Sequence, residues 1–173
     1  MSFWGLSDGQ TAADTPKEFE TGGGNMEVIP ANSDVMAMVS NAKWVKKGQE
    51  GSERDLIELE WTVVAPEAVK NRKVFHKLWV SDFDPNAESK GLDKAKAKRD
   101  KARRMLAAID ANAGGNLTKS GDAPTDQSLM MHLANKPMVL KIMTWNLTGS
   151  DGQAMEGNWV AAVSPSDKEL YLA

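Results

Sequence analysis

Hydrophobic and polar positions alternate most regularly in DLIELEWTVVA, residues 55–65. Here Ile57, Leu59, Trp61 and Val63 fall on one side of an extended chain and Glu58, Glu60 and Thr62 on the other. That pattern predicts a strand with one buried face. VMAMVSNAKWV, residues 35–45, is apolar and free of Gly and Pro, and predicts a strand before it. The polar run KKGQEGSER between them reads as a loop. RKVFHKLWV, residues 72–80, sets Lys73, Phe75, Lys77 and Trp79 against Val74, His76, Leu78 and Val80, and predicts a third strand that pairs back after a turn marked by Pro66 and Asn71. KPMVLKIMTWNL (136–147) and GNWVAAVS (157–164) flank the turn-forming TGSDGQ run and predict a terminal hairpin.

The period changes once. From Leu92 to Asn112, Leu92, Ala95, Ala102, Leu106 and Ile109 recur at helical spacing, and Gly114 and Gly115 end the segment. DQSLMMHLAN predicts a second, short helix capped by Asp126 or Ser128. Three strands, a helix and two strands make the chain mainly β with one principal helix, the order of an OB-fold-like five-stranded barrel. An α+β open sheet with the helix packed on it is the competing architecture. Residues 1–25, with their GGG run, read as a flexible N-terminal arm tipped by Phe3, Trp4 and Leu6. Residues 26–165 form the domain and 166–173 a C-terminal tail expected to fray or to pack Tyr171 on the barrel.

Composition narrows the chemistry. The 173 residues include no cysteine, which excludes disulfides, thiolate catalysis and cysteine-ligated zinc. His76 and His132 have no Cys or His partner nearby in sequence. Asp82, Asp84, Asn86 and Glu88 are spaced like the start of a calcium loop, but Ala87 stands where glycine is required and Asp93 where the bidentate glutamate belongs, so turn and capping roles are expected there. GGGN lacks the Lys-Ser/Thr of a phosphate loop, and no serine sits in a nucleophile elbow. The expectation is therefore a non-enzymatic protein without cofactor or metal. No secretory leader or membrane-spanning stretch is evident, so a soluble protein that is not exported is expected.

Net charge is −3, yet Lys90 to Arg104 holds eight basic residues against two acids. Such asymmetry can attract a polyanion locally without making the molecule basic.

The segments NMEVIPANSDVMAMVSNAKW, LIELEWTVVAPEAVKNRKVFHKLWV, KARRMLAAIDANAGG, NKPMVLKIMTW and GNWVAAVSP together resemble a family of phage-encoded single-stranded DNA-binding proteins of OB-fold type, found near phage recombination and replication genes. The likeness covers about residues 1–164. It rests most on the strand–turn–strand WTVV to NRKVFHKLWV, with a basic helix ending in ML and a glycine afterwards. It implies binding without chemistry in the cytoplasm of the bacterial host. The implied partners are single-stranded DNA, further copies of the chain, and recombination or replication proteins.

The candidate site follows from the residue types. Phe75, Trp79 and Trp145 are expected to stack with bases, at ~1–3 kcal/mol each, while Lys73, Lys77 and Lys141 hold phosphates. Trp44 sits near the first loop with Lys43, Lys46 and Lys47, and Lys98, Arg99, Arg103 and Arg104 offer a basic helix face. Each feature has a plainer reading. The aromatics can be core, Glu58 and Glu60 can neutralise the lysines across the sheet, and the helical charges can be a solvated face or meet an acidic neighbour. An adaptor that binds protein through the FWGL arm is the alternative function.

Overall fold

The computed structural model describes residues 3–15, 17, 28–47, 54–81 and 89–173. Five strands, β1 (Ser33–Lys47), β2 (Arg54–Ala65), β3 (Lys73–Leu78), β4 (Met138–Thr148) and β5 (Ala154–Ser164), form one antiparallel sheet in the order β3-β2-β1-β4-β5. Among the described residues no ladder joins β3 to β5, so the expected closed barrel is not formed and the sheet is open. β1 spans both halves: residues 33–37 pair with β4 and residues 36–47 with β2. Register shifts at Met36/Ala37 and Val39/Asn41, and at Lys141/Ile142 in the β4–β5 pair, accentuate the local twist. The sheet curls until the free edges of β3 and β5 face one another.

The alternation in β2 is realised: Leu59, Trp61 and Val63 are buried, and Glu58, Glu60 and Thr62 face outward. In β3 the inward set is Val74, His76 and Leu78, while Lys73, Phe75 and Lys77 are exposed. This strand ends at Leu78, two residues earlier than its alternation predicts, so Trp79 lies beyond it.

Three helices follow: α1 (Ser89–Ala113), α2 (Asn116–Lys119) and α3 (Asp126–Leu133). The Ile109 end of α1 packs into the core with Leu117, Leu129 and Leu133, and each such side chain contributes ~1.5–3 kcal/mol through burial. Gly114 and Gly115, both at positive φ, end α1, and the buried Asp110 carboxylate accepts the Leu117 and Thr118 amides at 2.9 Å, holding the start of α2. The cap of α3 is Thr125, in a reciprocal pair with Ser128, rather than Asp126 or Ser128 alone.

Backbone hydrogen bonds shape the described parts of both chain ends. Residues 3–15 form a small turn in which Gly5 bridges to Thr11 and the Ala12 amide donates to the Trp4 carbonyl at 2.8 Å. Instead of fraying, the tail is tied to β1: Asp34 and Tyr171 exchange backbone hydrogen bonds, and the Ala173 amide donates to the Ser33 hydroxyl. The Tyr171 ring is exposed, not packed on the sheet. The GGG run and the calcium-like segment 82–88 lie outside the described residues.

Candidate nucleic-acid interface

The β3 and β5 edges flank a cleft of about 660 Å³, lined chiefly by Lys73, Phe75 and Lys77 on one side and Trp145, Gly157 and Trp159 on the other. A second cleft of about 450 Å³ continues from it, sharing Phe75, Lys77 and Trp159 and adding Trp79, Lys98 and Lys101. Together they form one groove. Phe75 is 58% exposed, Trp145 44% and Trp159 46%.

Strand register explains the aromatic wall. Across β4 and β5, Met143 pairs with Trp159, Trp145 with Gly157 and Leu147 with Met155, which places all six on one face. With the Trp145 indole where it stands, position 157 has no room for a Cβ, because the ring occupies the space that atom would need. Asn158, on the opposite face, exchanges hydrogen bonds with the backbone of Ile29, fixing β5 to the segment that precedes β1.

The sequence candidates divide. Phe75, Lys77, Trp145, Trp79 and Lys98 are brought into the groove. Lys73 joins them, but its ammonium pairs with Glu60 at 3.3 Å, and Lys77 stands in register with Glu58. The cross-strand neutralisation anticipated for these lysines is thus present at Lys73. Trp79 is half-buried, with the Arg54 guanidinium 5.7 Å and the Lys98 ammonium 5.3 Å from its ring centroid, so cations already occupy its surroundings.

Other candidates fall elsewhere. Trp44 lies in a separate pocket, its indole N–H donating to the Pro124 carbonyl at 2.8 Å and its ring packed against the core, which identifies it as a packing residue. Lys141 shares a strand face with Trp145, as the alternation predicts, but its ammonium lies 3.9 Å from the Asp34 carboxylate, which Lys168 of the tail also approaches at 3.6 Å, and it takes no part in either cleft. Arg103 donates from Nε to the Val80 carbonyl and borders the Trp44 pocket. Arg99 is paired with Asp100 at 3.2 Å. Arg104 is exposed on α1 and lines neither cleft.

Three groove residues escaped the sequence reading: Trp159, Lys101 and Arg72, the last at the Lys73 end of the first cleft. The signal for Trp159 was present in GNWV, since antiparallel pairing across the hairpin turn brings it to the Trp145 face.

His76 borders the second cleft from the inner side, where its Nδ1 accepts the Trp61 indole N–H at 3.3 Å. Burial pushes its imidazole down from 6.5 to about 4, so near neutral pH it adds no charge to the groove.

No protein-family model matches this chain, and no curated protein matches it. Among the described residues no group of three or more His, Asp or Glu side chains is placed to hold a metal ion, and no helix is long and apolar enough to cross a membrane.

Proposed function

We propose that this protein binds single-stranded DNA along the β3–β5 groove, without strong sequence preference and without catalysing a reaction on it. The observation that carries this reading is the continuity of exposed aromatic rings, Trp145, Trp159 and Phe75, with the basic side chains Arg72, Lys73, Lys77, Lys98 and Lys101. Rings accept any base on their π-face, and the cations follow the backbone. A duplex hides its base faces and gains nothing from the aromatic wall.

The sheet order β3-β2-β1-β4-β5 with α1 inserted between β3 and β4 supports reading the domain as an OB-fold-like barrel left open between its third and fifth strands. With the resemblance to phage single-strand binders, it supports our reading that the protein acts in phage replication or recombination in the host cytoplasm. Further copies of the chain and recombination or replication proteins would be its partners there.

Tryptophan fluorescence tests the proposal. Titration with oligo(dT) should quench emission strongly at low salt and much less at high salt, while matched duplex does little. Unchanged emission with both ligands, for folded protein, would overturn it. The adaptor reading retains one favourable observation, the exposed Phe3, Trp4 and Leu6 of the arm.

A further inference from the structure

We propose that the second cleft takes one base edge-on, thymine by preference, and that the Nε2–H of His76 donates a hydrogen bond to a carbonyl oxygen of that base. This deepens the single-strand reading and rests on it. Trp61 decides where the ring proton sits. Its indole N–H can only donate, and it donates to His76 Nδ1 at 3.3 Å, so Nδ1 is the bare nitrogen and Nε2 carries the hydrogen. Burial lowers the imidazole pKa from 6.5 to about 4, so this one neutral tautomer persists near neutral pH.

The Nε2–H is an unused donor. Among the described residues the His76 side chain has no partner other than Trp61. The unpartnered side-chain atoms that are shut away from solvent, again among the described residues, are Asp34 Oδ1 and Arg54 Nε. Nε2 is not one of them, so solvent reaches it, and the open space that His76 borders is the cleft of about 450 Å³.

The lining of that cleft sorts its occupants. Lys77, Lys98 and Lys101 are exposed, whereas Val160 belongs to the core and Ala102 and Met105 pack against it. A phosphate stays with the exposed ammonium groups. The donor on the inner side, among apolar side chains, suits the edge of a base, which sheds water at far lower cost than a phosphate. Cytosine, adenine and guanine each carry an amino group on a flank of the pairing edge, and there a donor would face a donor. Thymine carries O2 and O4 on its two flanks, so either flank brings an acceptor to Nε2. One neutral hydrogen bond changes affinity by roughly 2- to 12-fold, which leaves binding tolerant of sequence.

The test needs no substitution, so it does not depend on a variant that folds. Full-length protein labelled with ¹⁵N-histidine is titrated with oligo(dT) and with the same oligomer built from difluorotoluene, a thymine isostere that keeps the flat ring but not the carbonyl oxygens. Oligo(dT) should bind roughly 2- to 12-fold tighter than the isostere. The His76 Nε2 nitrogen and its hydrogen should move downfield with oligo(dT) and not with the isostere, and His132, which lines neither cleft, serves as the internal reference. Equal affinity for the two oligomers, a ring proton found on Nδ1, or an Nε2–H resonance that stays in place or moves equally with both would overturn the proposal. If oligo(dT) quenches tryptophan emission in that same sample, the groove reading survives such a result. Failure of both oligomers to bind would overturn the two together.

Discussion

The indole of Trp145 lies so close over Gly157 that a Cβ built there would stand 2.5 Å from its Cζ2 atom. The glycine therefore sets where the aromatic wall stands. Gly157→Ala should push the ring out of the cleft while the paired backbones persist, weakening oligo(dT) binding by roughly 5- to 150-fold, the worth of one stacked base at ~1–3 kcal/mol. Circular dichroism should be unchanged. Undiminished affinity would remove Trp145 from the groove's function.

Trp159 and Trp44 should separate binding from stability. Trp159→Ala removes a half-exposed ring and is expected to lower DNA affinity with little change in the urea midpoint. Trp44→Ala deletes a ring packed on the core and the donor to the Pro124 carbonyl, and should destabilise the fold by about 2 kcal/mol or more. Its DNA affinity, measured where it remains folded, should match the parent's.

The cations can be ranked by salt dependence. Lys77→Ala and Lys101→Ala should each reduce the slope of log affinity against log salt by about 0.7, as expected for one phosphate contact on a single strand. Lys73→Ala should reduce it less, since Glu60 already offsets that charge. Lys141→Ala should leave the slope as it is, because that ammonium faces Asp34 and the tail.

Acid should weaken the fold through His76. Its unfolded pKa is 6.5 and its folded value about 4, so between these pH values the unfolded chain takes up a proton that the folded chain refuses. The stabilising difference is complete above pH 6.5 and shrinks as pH falls toward 4. Urea unfolding at pH 7 and pH 5 should show this loss, and His76→Gln should flatten it.

Legibility in the sequence followed the physics of each signal. Ile57, Leu59, Trp61 and Val63 alternate because one face of β2 is buried, and burial is what periodicity records. Helix α1 was legible for the same reason, through the spacing of Ala102, Leu106 and Ile109. Closure of the sheet left no such trace, since it depends on how twist accumulates across ladders and on whether two distant edges bond. The site was half legible. Alternation in β3 put Phe75 and Lys77 on one face without saying which face is buried, and the fold exposes theirs, whereas nothing local sets Trp44 and Lys141 apart as candidates and only partners far along the chain, Pro124 and Asp34, hold them away from the groove. Trp79 reaches the groove from just beyond β3, which ends one residue before it, a boundary that no local pattern marks.

The β1–β4 ladder stops at Ser33–Ile142, while the β4–β5 ladder continues to Thr148–Ala154, and an irregularity in register lies at Lys141/Ile142 where the first ladder ends. Trp145 and Trp159 thus ride on a two-stranded ribbon that overhangs the sheet, and Phe75 rides on the sheet itself. Two-stranded ribbons twist more than wider sheets, and a bulge at the root lets one bend as a unit. The groove's two walls therefore stand on different supports, one a two-stranded ribbon tied to the chain before β1 through Asn158, the other the sheet itself. On the single-strand reading proposed above, a ribbon that bends at this root would let the same three rings meet a purine or a pyrimidine while the core stays as it is.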